Sequence, residues 1–197
     1  MKLILATNNA HKYEEFKQLM AGLDIDLIMQ KDAGCNFEVE ENGTTFEENA
    51  YLKAIAVTKA TNLPAVADDS GLCVDALDGA PGLYSARYGP GHDASDKDKY
   101  MYLLSKMEGI ENRKAKFVSC ICCTFPNGDV IRSRGELHGR ILTEPVGTGG
   151  FGYDPVFFSD EADKPNGLFT TEEKNAISHR GKALRAFVPQ LEEYLKK

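Results

Sequence analysis

Short apolar runs separated by stretches of helical period open this chain, and a long hairpin pattern follows; that order calls for a mixed β-sheet with helices packed around it. LILAT at residues 3–7 reads as a buried strand, and the HKYEEFKQLMAGL behind it repeats Phe16, Leu19, Met20 and Leu23 at helical spacing. IDLIM is a second strand. TTFEENAYLKAIAVTKATN is a helix, with Thr45 and Glu48 spaced as a capping box and alanines giving one face a close-packing surface. LPAVADD is the next strand, expected to end at Asp68 and Asp69 before a Gly/Pro-rich loop. Ser95 heads a helix over ASDKDKYMYLLSKMEG that stops near Gly109. AKFVSCICCTF and DVIRSRGEL form a hairpin around Asn127-Gly128. From about Ser178, Leu184, Phe187, Val188, Leu191 and Leu195 mark a last helix that Pro189 is expected to kink or split.

At 197 residues the chain has room for one large domain or two small lobes with a sizeable core. A net charge of −7 without any Lys/Arg run argues against a nucleic-acid partner, yet leaves small anions, which need only a local cluster of donors. No run approaches the ~20 apolar residues of a membrane span, and the N-terminal apolar stretch is too short for a secretory signal. A soluble cytoplasmic protein with no membrane partner is expected. Cys120 and Cys122 alternate to one strand face and Cys123 to the other, with no second paired cluster to complete a zinc site, so the five cysteines read as buried free thiols.

Chemistry in such a sheet sits in the loops at strand ends, and four stretches stand out. In ATNNAHK a strand breaks into short polar residues before a helix. Backbone N–H groups there, side chains of Thr7, Asn8 and Asn9, and the charge of Lys12 suit phosphate oxygens; they equally suit a plain helix cap. EVEENGTTFEENA carries Glu40 and Glu41, and VADDS carries Asp68 and Asp69. Carboxylates on two separate connections are hard donors for Mg2+, or else ordinary surface acids. Adjacent aspartates repel one another unless water, a cation or donors screen them. GTGGFGYDPVF lets backbone approach a flat ligand while Phe151 or Tyr153 covers its face, or forms a turn with two core aromatics. EEKNAISHRGKAL gathers Lys174, Ser178, His179 and Arg180 at the start of the last helix. His179 fits a general base or a packing residue, and the planar donors of Arg180 fit a carbonyl-rich base or phosphate.

Taken in order, ATNNAHK, EENGTTFEENAYLKA, ADDSGLCVDALDGAPGLYSARY, GTGGFGYDPVFF and EEKNAISHRGKAL resemble the Ham1 family of inosine triphosphate pyrophosphatases, and its bacterial branch most nearly. The resemblance spans almost the whole chain. It implies a single ITPase-like α/β domain of two lobes over residues 1–197, with a long twisted mixed sheet, flanking helices and a nucleotide cleft between the lobes, usually as a homodimer. The implied reaction is Mg2+-dependent hydrolysis of dITP, ITP and XTP to monophosphate and pyrophosphate.

By position, the resemblance makes Thr7, Asn8, Asn9, Ala10, His11 and Lys12 the triphosphate cradle, with Lys53 a second phosphate-binding lysine. Glu40 and Asp69 are the implied magnesium ligands, and Asp69 the implied proton acceptor. Ser70 is a substrate contact; Phe151, Gly152, Tyr153, Asp154, Lys174, His179 and Arg180 are the base-recognition set. Asp68 is left to orient a neighbour or to tune Asp69 as half of a coupled pair. A Maf-type diphosphatase fits the SHR and FGYD stretches less well, and a catalytically silent nucleotide-binding module would not need Glu40 and Asp69. A haloacid-type phosphatase would need D-x-D after the first strand, where Thr7 and two asparagines stand.

Overall fold

The structure is a computed structural model that describes residues 1–91 and 93–196. Strand β1 (Lys2–Leu5) leads into helix α1 (Ala10–Leu19) and strand β2 (Asp26–Met29). Helix α2 (Phe46–Thr61), strand β3 (Ala65–Val74), helix α3 (Asp96–Lys106) and strands β4 (Lys114–Thr124) and β5 (Val130–Ile141) follow. The short strands β6 (Phe157–Ser159) and β7 (Lys164–Pro165) precede helices α4 (Thr171–Ile177) and α5 (His179–Leu195). One mixed sheet has the order β2-β1-β3-β4-β5-β6-β7. β1 is parallel to β2 and to β3, whereas β6 is antiparallel to both β5 and β7. Among the described residues no helix is long and apolar enough to cross a membrane.

The chain divides into two compact units, and the division falls within β3, β4 and β5. Unit 1 comprises Met1–Asp69, Ser119–Gly135 and Arg180–Lys197. Its sheet is covered on both faces, as a largely parallel sheet must be to bury its strands. Leu3, Leu5 and Val66 pack with Phe16 of α1 and with Ala183, Leu184, Phe187 and Leu191 of α5. Ile4, Ala65 and Ala67 pack the other way, against Ala54 and Val57 of α2. The alanine face of α2 does there what its composition foretold. Unit 2, Ser70–Val118 and Glu136–His179, has its own core of Leu72, Val74, Leu103, Phe117, Leu137, Tyr153, Val156 and Phe157.

Local signals held where the chemistry was local. Ser95 caps α3 in a full capping box with Asp98. The Asn127-Gly128 turn lies between β4 and β5, with Gly128 at φ +93°, a value that favours glycine. All five cysteines are free; Cys35, Cys120, Cys122 and Cys123 are buried as expected, whereas Cys73 on β3 is half-buried. Thr45 caps α2 through the Glu48 amide, but the box is only half formed: the Glu48 carboxylate accepts from Thr44, at 2.6 Å from its amide and 2.9 Å from its hydroxyl.

Three expectations are corrected. β3 does not stop at the aspartates but runs on to Val74, because Leu72 and Val74 continue the alternating apolar face into the core of unit 2. Pro189 does not split the last helix: it lies within α5, where Phe187 and Leu191 on either side are buried in one cluster. Lys174 is not on the last helix: it belongs to α4, started by a Thr170–Glu173 capping box and ended by Ser178 at ψ 153°.

Candidate active site

The loop after β1 is organised by its own side chains. Thr7 Oγ1 accepts from the Asn9 amide at 3.2 Å, and Asn9 Oδ1 caps α1 by accepting from the amides of His11 and Lys12 at 2.9 and 3.2 Å. Asn8, Asn9, Ala10 and His11 are exposed, and Lys12 is half-buried. The cap and the polar loop therefore coexist: Asn9 spends its oxygen on the helix, and its amide nitrogen is the end left for a ligand.

Strand geometry answers how two aspartates sit side by side. Successive side chains on β3 face opposite sides of the sheet, so Asp68 follows Val66 toward α1 and α5 and Asp69 follows Ala67 toward α2. Asp68 is only 4% exposed. Its Oδ1 accepts from the Ser119 hydroxyl; its Oδ2 lies 2.8 Å from Lys12 Nζ and 3.3 Å from Arg180 Nε. Arg180, 2% exposed, also pairs through Nη1 with Glu15 of α1. Burial opposes the charge on Asp68, but Lys12, Arg180 and the Ser119 hydrogen bond overcome it and hold the carboxyl far below the usual carboxylate range. Burial, aided by Arg180 and Lys53, lowers Lys12. Arg180 is driven the other way, since Asp68 and Glu15 outweigh its desolvation.

On the opposite face Asp69 Oδ1 accepts from Lys53 Nζ at 3.0 Å, and the same ammonium reaches Glu41 Oε2 at 3.2 Å. Burial raises Asp69 above the ordinary aspartate value: Lys53 opposes that shift, and the neighbouring carboxylates of Glu41 and Asp68 add to it. Burial alone would lower Lys53, but Asp69 and Glu41 raise it. Asp69 Oδ2 is buried and has no hydrogen-bond partner among the described residues. Such an atom is costly unless a cation or proton meets it, and it makes Asp69 a fitting ligand for a hard cation. Glu40, by contrast, is exposed. Among the described residues no three His, Cys, Asp or Glu side chains converge as a metal cage. The buried Oδ2 of Asp69 fits an ion such as Mg2+, which binds one or two carboxylates and completes its shell with phosphate and water.

Unit 2 holds most of the residues expected to recognise the base. Asp154 is buried; its Oδ2 accepts from the Phe151 amide at 3.0 Å and from Lys174 Nζ at 2.9 Å. Lys174 Nζ stands 3.8 Å from the centroid of the Phe151 ring. A Cβ on Gly150, already at φ +74°, would lie 2.1 Å from Asp154 Oδ2, so the loop can close on that carboxylate only with glycine there. Tyr153 is a core residue whose hydroxyl donates to the Ser85 carbonyl at 2.8 Å, leaving Phe151 as the half-buried aromatic. The Gly152 amide donates to Asp96, and His179 stacks on Phe117 at 4.9 Å between centroids. Ser70 is half-buried on β3 in this unit. Arg180 belongs instead to unit 1, on Asp68 and Glu15.

Three participants escaped the sequence reading. Glu15 stands one turn after Lys12, a spacing that places both on one helix face. Glu41 was named with Glu40 as a candidate carboxylate, and the structure places it on Lys53. Ser119 and Asn166, which donates to Asp154 Oδ1, are joined to their aspartates only by the fold.

The mixed sheet with its flanking helices defines an α/β protein, and the capped start of α1 and the carboxylates of β3 are its candidate donors to an anion and a cation. Comparison with known proteins agrees. The Ham1 family model matches residues 3–190, and the chain belongs to that family. It is 49% identical over 185 residues to the dITP/XTP pyrophosphatase of Deinococcus deserti, covering 94% of this chain and 86% of that one. It is likewise 49% identical to the dITP/XTP pyrophosphatase of Geobacter sulfurreducens, covering 93% and 92%. The solved Ham1 protein of Staphylococcus aureus superposes with a TM-score of 0.91 at 39% identity, over 98% of this chain and 100% of that one.

Proposed function

We propose that this protein hydrolyses the triphosphates of deaminated purines, dITP, ITP and XTP, to the monophosphate and pyrophosphate, keeping such bases out of DNA and RNA. The two relatives named dITP/XTP pyrophosphatase support the reaction. The observation that carries it is Asp69, one oxygen held by Lys53 and the other buried without a partner among the described residues.

In this reading Thr7, Asn8, Asn9, Ala10, His11 and Lys12 cradle the triphosphate, and Lys53 takes a further phosphate oxygen. Glu40 and Asp69 would hold Mg2+, which when bound neutralises phosphate charge. Asp69 accepts a proton from the water that attacks the α-phosphorus. The bond from that phosphorus to the bridging oxygen breaks, and pyrophosphate leaves with the bridging oxygen. Ser70 contacts the substrate; Phe151, Gly152, Tyr153, Asp154, Lys174, His179 and Arg180 recognise the base. We read residues 1–197 as one ITPase-like domain, acting as a cytoplasmic homodimer without a nucleic-acid partner.

Product identification tests the reaction. With Mg2+ and ITP the expected products are IMP and pyrophosphate, with ATP largely spared. IDP and orthophosphate as primary products would place the attack on the γ-phosphorus and overturn the assignment.

A further inference from the structure

Asn166 opens the 3-10 turn Asn166–Leu168 directly after β7 and is 4% exposed. Its Nδ2 donates to Asp154 Oδ1 at 3.2 Å, while its Oδ1 is buried and accepts from no donor among the described residues. The orientation of the amide follows from chemistry, since a carboxylate oxygen accepts only and must face the NH2 end. The polar work of this side chain within the protein is thus directed at Asp154. A planar carboxylate gripped on one oxygen keeps the direction of its second fixed. That second oxygen holds the Phe151 amide and the Lys174 ammonium, and Lys174 in turn lies over the Phe151 ring. The backbone reinforces the link: the Gly149 amide donates to the Gly167 carbonyl at 2.8 Å, tying the glycine loop to the turn that carries Asn166.

We propose that Asn166 is a positioning residue for purine recognition: by fixing the Asp154 carboxylate it sets where Lys174 and Phe151 present themselves to the base. The inference rests on the reading of Lys174 and Phe151 as base-recognition residues. It assigns Asn166 no contact with substrate. A loosened Asp154 lets the ammonium and ring wander, which weakens an oriented hydrogen bond to a 6-oxo purine more than it weakens contacts common to all purines.

The test compares Asn166→Ala, the isosteric Asn166→Asp and the shorter donor Asn166→Ser with Lys174→Ala, measuring KM and kcat for ITP and ATP. Binding of inorganic tripolyphosphate by calorimetry reports the phosphate groups separately. Expected for Asn166→Ala and Asn166→Asp is a rise of about tenfold in KM for ITP, with kcat within about twofold and a narrowed ITP-to-ATP ratio of kcat/KM. Tripolyphosphate affinity stays as in the unaltered protein, and Asn166→Ser recovers part of the loss. Asn166→Asp keeps the side-chain volume and so separates lost donation from a cavity. If Lys174→Ala shifts the ratio and neither Asn166→Ala nor Asn166→Asp does, the positioning role is wrong and the base-recognition reading survives. Equal proportional losses for ITP and ATP, or a parallel loss of tripolyphosphate binding, overturn it in favour of a general structural role. An unchanged ratio in Lys174→Ala removes the base-recognition reading and this inference with it.

Discussion

Asp68 and Asp69 are consecutive on β3 yet serve opposite faces of the sheet: Asp68 is held by Lys12, Arg180 and Ser119, and Asp69 by Lys53. The strand pleat, not a turn, relieves their repulsion, because each carboxylate has its own cation. The consequence is a division of labour. Asp68 is saturated and suits scaffolding, whereas Asp69 retains a buried oxygen without a partner among the described residues.

Asp68→Asn and Asp69→Asn are therefore expected to fail differently. Removing the Asp68 charge leaves Arg180 and Lys12 short of a buried partner, a loss of about 3–5 kcal/mol for a broken buried pair. Asp69→Asn leaves Lys53 with Glu41 and costs about 1 kcal/mol or less, yet lowers turnover by about 100-fold or more. Glu40→Gln, at an exposed position, lowers turnover at saturating Mg2+ without moving the unfolding midpoint. Urea unfolding beside steady-state turnover checks all three; near-normal turnover in Asp69→Asn or Glu40→Gln would remove that residue from the catalytic set.

Ser119→Ala isolates the neutral anchor of Asp68. The hydroxyl is fully buried, so its loss strands Oδ1 and is expected to cost about 1–3 kcal/mol. For a chain of this length that lowers Tm by roughly 2–4 °C per kcal/mol. No measurable change in urea or thermal unfolding would show that Lys12 and Arg180 suffice to hold the carboxylate.

How much of this was legible in sequence depends on the range of the interaction. The Ser95 cap, the Asn127-Gly128 turn and the alanine face of α2 are set by residues a few positions apart, and each was readable. The length of β3 was not: DDSG resembles the end of a strand until Ser119 and Arg180, 51 and 112 positions away from Asp68, supply its partners. The same holds for Asn166, which stands outside every recognised motif. Helix α4 was hidden for another reason: it is only seven residues long and ends at Ser178, where the last helix was already read to begin.

The thiols of β4 give a prediction in pH. Burial pushes Cys122 up to about 11 and raises Cys120 and Cys123 as well. In the unfolded chain a thiol ionises near ~8.5. Above that pH the unfolded state sheds protons that the folded state keeps, so the stability these groups confer is full below ~8.5 and falls as pH rises through the folded values. Alkylation by iodoacetamide at neutral pH is expected to spare these three cysteines until urea is added. Unfolding midpoints should decline between about pH 8.5 and 10 less steeply in Cys123→Val than in the unaltered protein. Rapid alkylation of Cys120, Cys122 or Cys123 in the native state would contradict the burial argument.

Arg180 offers the sharpest test of base reading, because its guanidinium is held in place before any ligand arrives. Asp68 accepts from Nε and Glu15 from Nη1, so the plane of the group is fixed by two carboxylates. A guanidinium fixed in this way pairs with the 6-oxo acceptor of hypoxanthine or xanthine and faces the 6-amino group of adenine donor to donor. Discrimination from a buried unpaired donor reaches as much as ~10⁴-fold. Guanine carries the same 6-oxo group, so the exclusion of GTP must come from elsewhere. Arg180→Ala is expected to lower kcat/KM for ITP far more than for ATP, narrowing their ratio by about tenfold or more while the ITP-to-GTP ratio holds. It also lowers stability by about 3–5 kcal/mol, since Asp68 and Glu15 both lose the guanidinium they hold. Stability alone cannot change a ratio measured on one folded enzyme, which is why the ratio decides. Equal proportional losses for ITP and ATP would confine Arg180 to holding Asp68 and Glu15, and base reading would pass to Lys174 or His179.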